Sequence, residues 1–342
     1  MEILDKEFRK MLAEKLEQYP DKGDELDIEG IISDVTPEAV NLIKDSLMNR
    51  AQEMLAEKRK ISKEFEQRNI KKWAEAFDIL ETHIVVCTEV GEEFNNSYRP
   101  KAVENDDLVF DLVVRHHNRA CHISQEILCL LKSGYADAAH ARWRALHEVN
   151  VTGMFIAKHG QECAERFYFH NVVDSYNGMI EHQKYEERLQ EKAPTQKEID
   201  ECKEQYDVFI EKYGKRFSGH YGWASYIFPN HKRVGFAALE KDVSLDHMRP
   251  YYTWASQNIH AGSKGMRNRL GLCETKEDVL LVGQSNSGMT DPAHATAISL
   301  CQVTSTLLVL KPTLDHIILM KVMVDYENEV GETFLKVGQE NS

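Results

Sequence analysis

Proline and glycine, the residues that most often punctuate turns, are scarce: 8 and 18 among 342 residues. That scarcity argues against a sheet built from many short strands and favours long helices. The seven cysteines form no Cys-x-x-Cys pair and no zinc-like grouping, so they read as reduced core residues. No apolar run is long enough to span a bilayer; the most apolar, 297–310, is short and rich in hydroxyl side chains. The opening MEILDKEFRKML is charged from its second residue, unlike a secretory leader. Positive charge is also short. A formal net charge of −14 excludes nucleic-acid binding over the whole surface, yet leaves room for a local basic pocket. Internal repeats, low-complexity tracts, a Gly-rich phosphate loop, a Gly-x-Ser-x-Gly elbow and a His-Glu-x-x-His pair are all missing. The expectation is a cytoplasmic protein with no cofactor, no metal, no membrane partner and no DNA partner.

What is present is helical periodicity. Residues 2–19 form a short amphipathic helix with Leu4, Phe8, Leu12 and Leu16 on one side. Thr36-Pro37-Glu38 reads as a helix start, with Thr36 as cap and Pro37 in the first helical position. From there one very long helix, or two nearly continuous ones, runs to Gly91. Its first half is highly charged with a thin apolar stripe, an arm against another subunit or a solvated face. A linker is expected over 89–107, then helices over 107–132, 135–158 and 162–191. A capping box at Thr195 and Glu198 opens a charged helix to about Tyr213. Gly214 to Pro229 is aromatic and irregular, a loop packed on the core or a lid. Pro250 starts a helix reaching Gly262, a small strand is expected at 279–282, and a final helix spans 292–330 with a possible bend at Pro312. The fold class is all-α, an antiparallel multi-helix bundle. Residues 1–68 form an N-terminal helical arm and 69–342 the core domain.

The site is expected on the helix after Gly134, GYADAAHARWRALHE. Ala138, Ala141, Ala145, Leu146, Val149 and Phe155 make it apolar on most of its circumference, as in a buried helix. It nevertheless carries His140, Arg142, Arg144, His147 and Glu148, and buried charge needs partners. The preceding helix presents Arg115, Arg119, His122 and Glu126 as one polar stripe. Past the SQNIHAG segment, His260 is followed by the basic run Lys264, Arg267 and Arg269.

The succession GYADAAHARWRALHE, ERFYFHN, YGWA and YYTWASQNIHAG resembles the bacterial family known as domain of unknown function 5677, over roughly residues 70–265. That resemblance implies an all-helical protein and no particular activity. More distantly, Arg142 and His147 are similar to the Arg-x4–6-His pattern of HEPN helical ribonucleases. The pattern implies a metal-independent RNA-cleaving site assembled by a homodimer, in a toxin or phage-defence effector. An imidazole can exchange a proton near neutral pH while a guanidinium steadies phosphate charge. The chain departs from the pattern at Trp143, where those enzymes usually have a polar residue. Five residues of helix also put Arg142 and His147 about 140° apart.

Under that reading Arg142, His147, Glu148 and His260 are catalytic. Arg115, Arg119, His122, Glu126, Arg144, Lys264 and Arg267 then bind RNA. The other reading is a non-catalytic binding module, its Arg/His/Glu pocket holding an anionic ligand or an acidic partner segment. A third leaves the same residues as internal struts, Arg144 pairing with Glu148 and the histidines satisfied in the core. Whether His147 opens to a cleft or is enclosed by its own chain's carboxylates separates them.

Overall fold

A computed structural model describes residues 2–17, 28–260, 262–277 and 279–340. The architecture is an all-α, multi-helix bundle, with no strand among the described residues. Two compact units are present, 1–67 and 68–342. The first holds α1 (Glu2–Leu16) and most of α2 (Ile28–Lys72). Thr36 does not cap this helix, which starts eight residues earlier. Its hydroxyl instead donates to the Ile32 carbonyl at 2.6 Å, and Pro37 lies inside the helix.

In the second unit α3 (Ala74–Glu104) follows α2 after a break at Trp73 alone. The linker expected from residue 89 is helical through Gly91 and Pro100. Gly91 is there for packing, since a Cβ on it would lie 2.1 Å from the His117 ring. The connection shrinks to 105–107, where Asp106 takes a positive φ of 50° and the Asp107 carboxylate accepts from Phe110 N.

Helix α4 (Leu108–Lys132) returns antiparallel to α5 (Ala136–Phe169) through the turn at Gly134, whose φ is 83°. Arg142 of α5 meets Glu126 of α4, and Gly153 meets His116. Helix α5 is two helices joined at a kink: Gly160 (φ 72°, ψ −157°) leaves helical geometry there, between the expected end near 158 and the expected restart at 162. The next helices are α6 (Asn171–Leu189), α7 (Gln196–Tyr213), α8 (Phe236–Asp242), α9 (Arg249–Gln257) and α10 (Ser263–Arg267). The Thr195–Glu198 capping box forms as the sequence predicts. The expected final helix is two, α11 (Thr290–Leu308) and α12 (Leu314–Glu340). Pro312 in the 309–313 connection has no N–H to continue the first and disfavours helical geometry before it. Val279 and Val282 are exposed rather than in a strand.

The main core joins α3, the first half of α5, α4, α11 and α12, with Trp73 stacked on Phe334 and Trp143 donating to the Ala295 carbonyl. A second core packs the end of α5 against Phe217, Trp223, Phe236 and Leu239. Cys87, Cys121, Cys163 and Cys301 are buried thiols as expected, whereas Cys129 and Cys273 are exposed. Among the described residues no helix is long and apolar enough to cross a membrane.

Candidate functional site

His147 projects from α5 between the two cores and is fully enclosed. Its Nε2 lies 2.9 Å from the Glu240 carboxylate on α8, and both side chains are 0% exposed. The Arg249 guanidinium ion-pairs with the other Glu240 oxygen. Trp143, Phe236 and Tyr252 wall the imidazole on three sides. Burial pulls the His147 pKa down to about 4, and the Arg249 charge adds to this. The neutral ring therefore donates from Nε2 to a carboxylate whose charge is balanced by Arg249, and its Nδ1 is left without a partner.

One turn along, Arg144 and Glu148 pair at 3.1 Å. The Arg144 Nη2 also donates to the Tyr252 hydroxyl at 2.8 Å, and that hydroxyl donates to Glu148. Burial, with the Glu148 bond second, pushes the Tyr252 pKa up to about 12, so the phenol keeps its proton. Arg144 and Arg249 lie over the Tyr252 ring, each 4.9 Å from its centre. Tyr221 approaches the same charges, and burial followed by the Glu148 charge raises it to about 12.

The remaining predicted residues do not join this cluster. Arg142 is tied to Glu126, which His122 also approaches at 3.2 Å. Burial works to raise the Glu126 pKa, but the Arg142 hydrogen bond and charge outweigh it and hold the carboxyl below its usual range. Arg119 is exposed and reaches Glu126 only through its charge. Arg115 pairs with Asp111 at 2.7 Å, which Arg99 also holds. His260 is exposed because α9 stops at Gln257, five residues before the expected end. The chain then folds back so tightly that a Cβ on Gly265 would sit 2.2 Å from the Gln257 carbonyl. Ser256 spends its hydroxyl on the Tyr252 carbonyl at 2.8 Å. Lys264 and Arg267 are exposed on α10; Arg267 and Arg269 edge a cavity of about 490 Å³ that Asp291 and Glu274 also line. Several separate groups thus take the place of one polar cluster. Helix α5 turns successive residues toward different neighbours, and the long side chains reach the nearest carboxylate.

An uninterrupted concentration of positive charge lies elsewhere. Gly214 (φ 85°) turns the chain out of α7 into a 3-10 turn over 215–218. Phe217 and Trp223 anchor the following loop in the second core, and His170 reaches the Gly219 carbonyl at 2.9 Å. Gly222 must be glycine, since a Cβ there would lie 2.0 Å from the Phe217 carbonyl oxygen. Arg216 donates to the Phe228 and His231 carbonyls at 2.8 and 2.7 Å, folding the returning strand of loop beside the outgoing one. The result is a cavity of about 400 Å³ lined by Lys215, Arg216, His220, Lys232 and Arg233, with no carboxylate among its lining residues. Ser225, 5% exposed, lines it with a hydroxyl that has no side-chain hydrogen-bond partner among the described residues. Of the two sequence readings of this segment, packed loop or lid, the buried Phe217 and Trp223 fit the packed loop.

Residues 110–278 match the model of a family of unknown function, DUF5677. The comparison with curated proteins finds no match, nor does the comparison with solved structures. The matched segment holds the His147–Glu240 pair, the Arg144–Glu148–Tyr252 group and the basic cavity. It begins at α4, later than the resemblance in the sequence suggested, and leaves α3, α11 and α12 as flanking helices. Within the matched segment, Glu240, Arg249 and Tyr221 were not predicted from the sequence. Glu240 was findable: in FAALEKD it falls at i+4 from Phe236, on the face that also buries Leu239. The basic cavity was not findable by periodicity, because its cations come from two arms of an irregular loop. Among the described residues no group of three or more His, Cys, Asp or Glu side chains is placed to hold a metal ion.

Proposed function

We propose that the protein is a non-catalytic helical binding module that takes a compact polyphosphate or similar phosphate-bearing anion in the cavity between residues 215–222 and 232–234. The observation that carries this reading is the charge of that cavity. Four Lys or Arg side chains and a histidine line it without one carboxylate, on a chain whose acidic residues outnumber basic ones by 56 to 42. Lys215, Lys232 and Arg233 have no carboxylate partner among the described residues, so their charge is available to a ligand. Arg216 is engaged by loop carbonyls and acts to hold the two arms together. The Ser225 hydroxyl supplies a donor at the cavity wall. A volume of about 400 Å³ falls in the range of small-ligand pockets.

The ribonuclease reading is less well supported. Its proton-transfer group would be His147, which is enclosed, neutral and bonded to its own chain's Glu240. Its phosphate-steadying group would be Arg142, which is held by Glu126.

Isothermal titration with inorganic tripolyphosphate and with ATP tests the proposal. Both should bind, and Lys232→Ala combined with Arg233→Ala should weaken binding by about tenfold or more, given charge-assisted hydrogen bonds of about 1.5–3 kcal/mol. Affinity should fall with added salt. Equal affinity for the two ligands assigns recognition to the phosphates; tighter ATP binding adds a base contact. Absence of binding by either, or binding that the double variant leaves unchanged, overturns the proposal. RNA cleavage by the wild type, lost in a folded His147→Ala variant, would replace it with the ribonuclease.

A further inference from the structure

From Val40 to Arg68 helix α2 buries no residue; every position is exposed or half-exposed. At 1.5 Å per residue this is roughly 40 Å of helix without a packed face. Along it Val40, Leu47, Met54 and Ile61 recur every seventh residue, each about half exposed at 54%, 54%, 49% and 50%. Seven-residue spacing keeps them on one side of the helix, where Ile43, Ala51 and Phe65 join them. An isolated helix gains little from propensity alone, and most helical stability comes from covering such a face.

We infer that this stripe is the contact surface for a second copy of the same chain, the two arms running antiparallel. Charge decides the occupant and the direction. Three residues after Leu47, Met54 and Ile61, on the edge of the stripe, stand Arg50, Glu57 and Glu64. In a parallel, in-register pair these edge positions would lie across from the partner's opposite edge at 55, 62 and 69, a Leu, a Ser and an Asn that offer no countercharge. In an antiparallel pair centred near residue 52, Arg50 of one copy comes alongside Glu57 of the other, and symmetry repeats the contact. Each apolar layer then contains residues from opposite ends of the stripe, Ile43 meeting Ile61. The surface is self-complementary, as a two-fold interface requires.

Sedimentation equilibrium of the full chain tests this. The wild type should be a dimer at micromolar concentration. Leu47→Glu combined with Met54→Glu should give a monomer whose core unit melts at the wild-type temperature. Arg50→Glu should weaken the dimer by about tenfold, and Arg50→Glu with Glu57→Arg should restore it, because the exchange regenerates both antiparallel pairs. A monomeric wild type overturns the inference, as does a dimer unaffected by the Leu47 and Met54 changes. A dimer that the charge exchange fails to restore overturns the antiparallel arrangement.

Discussion

His147 and Glu240 meet 2.9 Å apart across the α5–α8 contact with no exposed surface on either side chain, and Arg249 closes the far side of the carboxylate. Removing Glu240 leaves the buried His147 Nε2 without an acceptor, and removing His147 leaves one oxygen of the buried Glu240 unpaired; Arg249 is 34% exposed and keeps access to water. Glu240→Ala leaves the neutral, buried His147 imidazole without its acceptor and should lower stability by about 1–3 kcal/mol, the usual cost of an unsatisfied buried polar group. His147→Ala should cost about 2–4 kcal/mol from the cavity and the carboxylate oxygen it leaves. Urea denaturation of both variants measures this. A loss under about 0.5 kcal/mol, the surface value, would contradict the enclosed geometry.

Stability should fall on mild acidification. His83, His117, His140 and His147 are each pulled down to about 4, in every case chiefly by burial. Their folded pKa values lie below the unfolded value near 6.5, so between these limits the unfolded chain binds protons that the folded chain does not. Their contribution is therefore complete above pH 6.5 and is lost as the pH falls toward 4, by about 1.4 kcal/mol per imidazole and pH unit at most. The paired carboxylates Asp111 and Glu126, held below their usual values, lose their contribution only at lower pH. Urea midpoints at pH 7, 6 and 5 check the window. A midpoint that stays constant from pH 7 to 5 would show that these rings are not buried as neutral groups.

Gly222 links the loop fold to the basic cavity. A methyl group there would lie 2.0 Å from a backbone oxygen, that of Phe217, which cannot rotate away. Gly222→Ala should force the 215–224 turn open, cost about 1–3 kcal/mol, and weaken tripolyphosphate binding by tenfold or more while circular dichroism stays helical. Gly235→Ala serves as the control, since a Cβ there meets nothing within 4 Å. Equal binding by the two variants would separate the cavity from the loop geometry.

By itself the sequence determined the helical class and most helix positions. Scarce turn residues, the helical periodicity over 107–132 and the Thr195 capping box act over one or two turns and are readable locally. It also marked α5 as a buried helix bearing charge that needs partners. Where local signals misled, a distant contact decided. Gly91 reads as a break but makes room for His117, and Thr36-Pro37 reads as a cap but lies within α2. The partners themselves belong to tertiary structure. His147 is 93 residues from Glu240, and Arg144 is 108 from Tyr252. Only the packing of α8 and α9 on α5 could choose between an open cleft and an enclosed pair. The basic cavity follows the same rule. Lys215 and Arg233 share no periodic element, and they face one cavity because Phe217 and Trp223 are buried beneath the loop and Arg216 binds its two arms together.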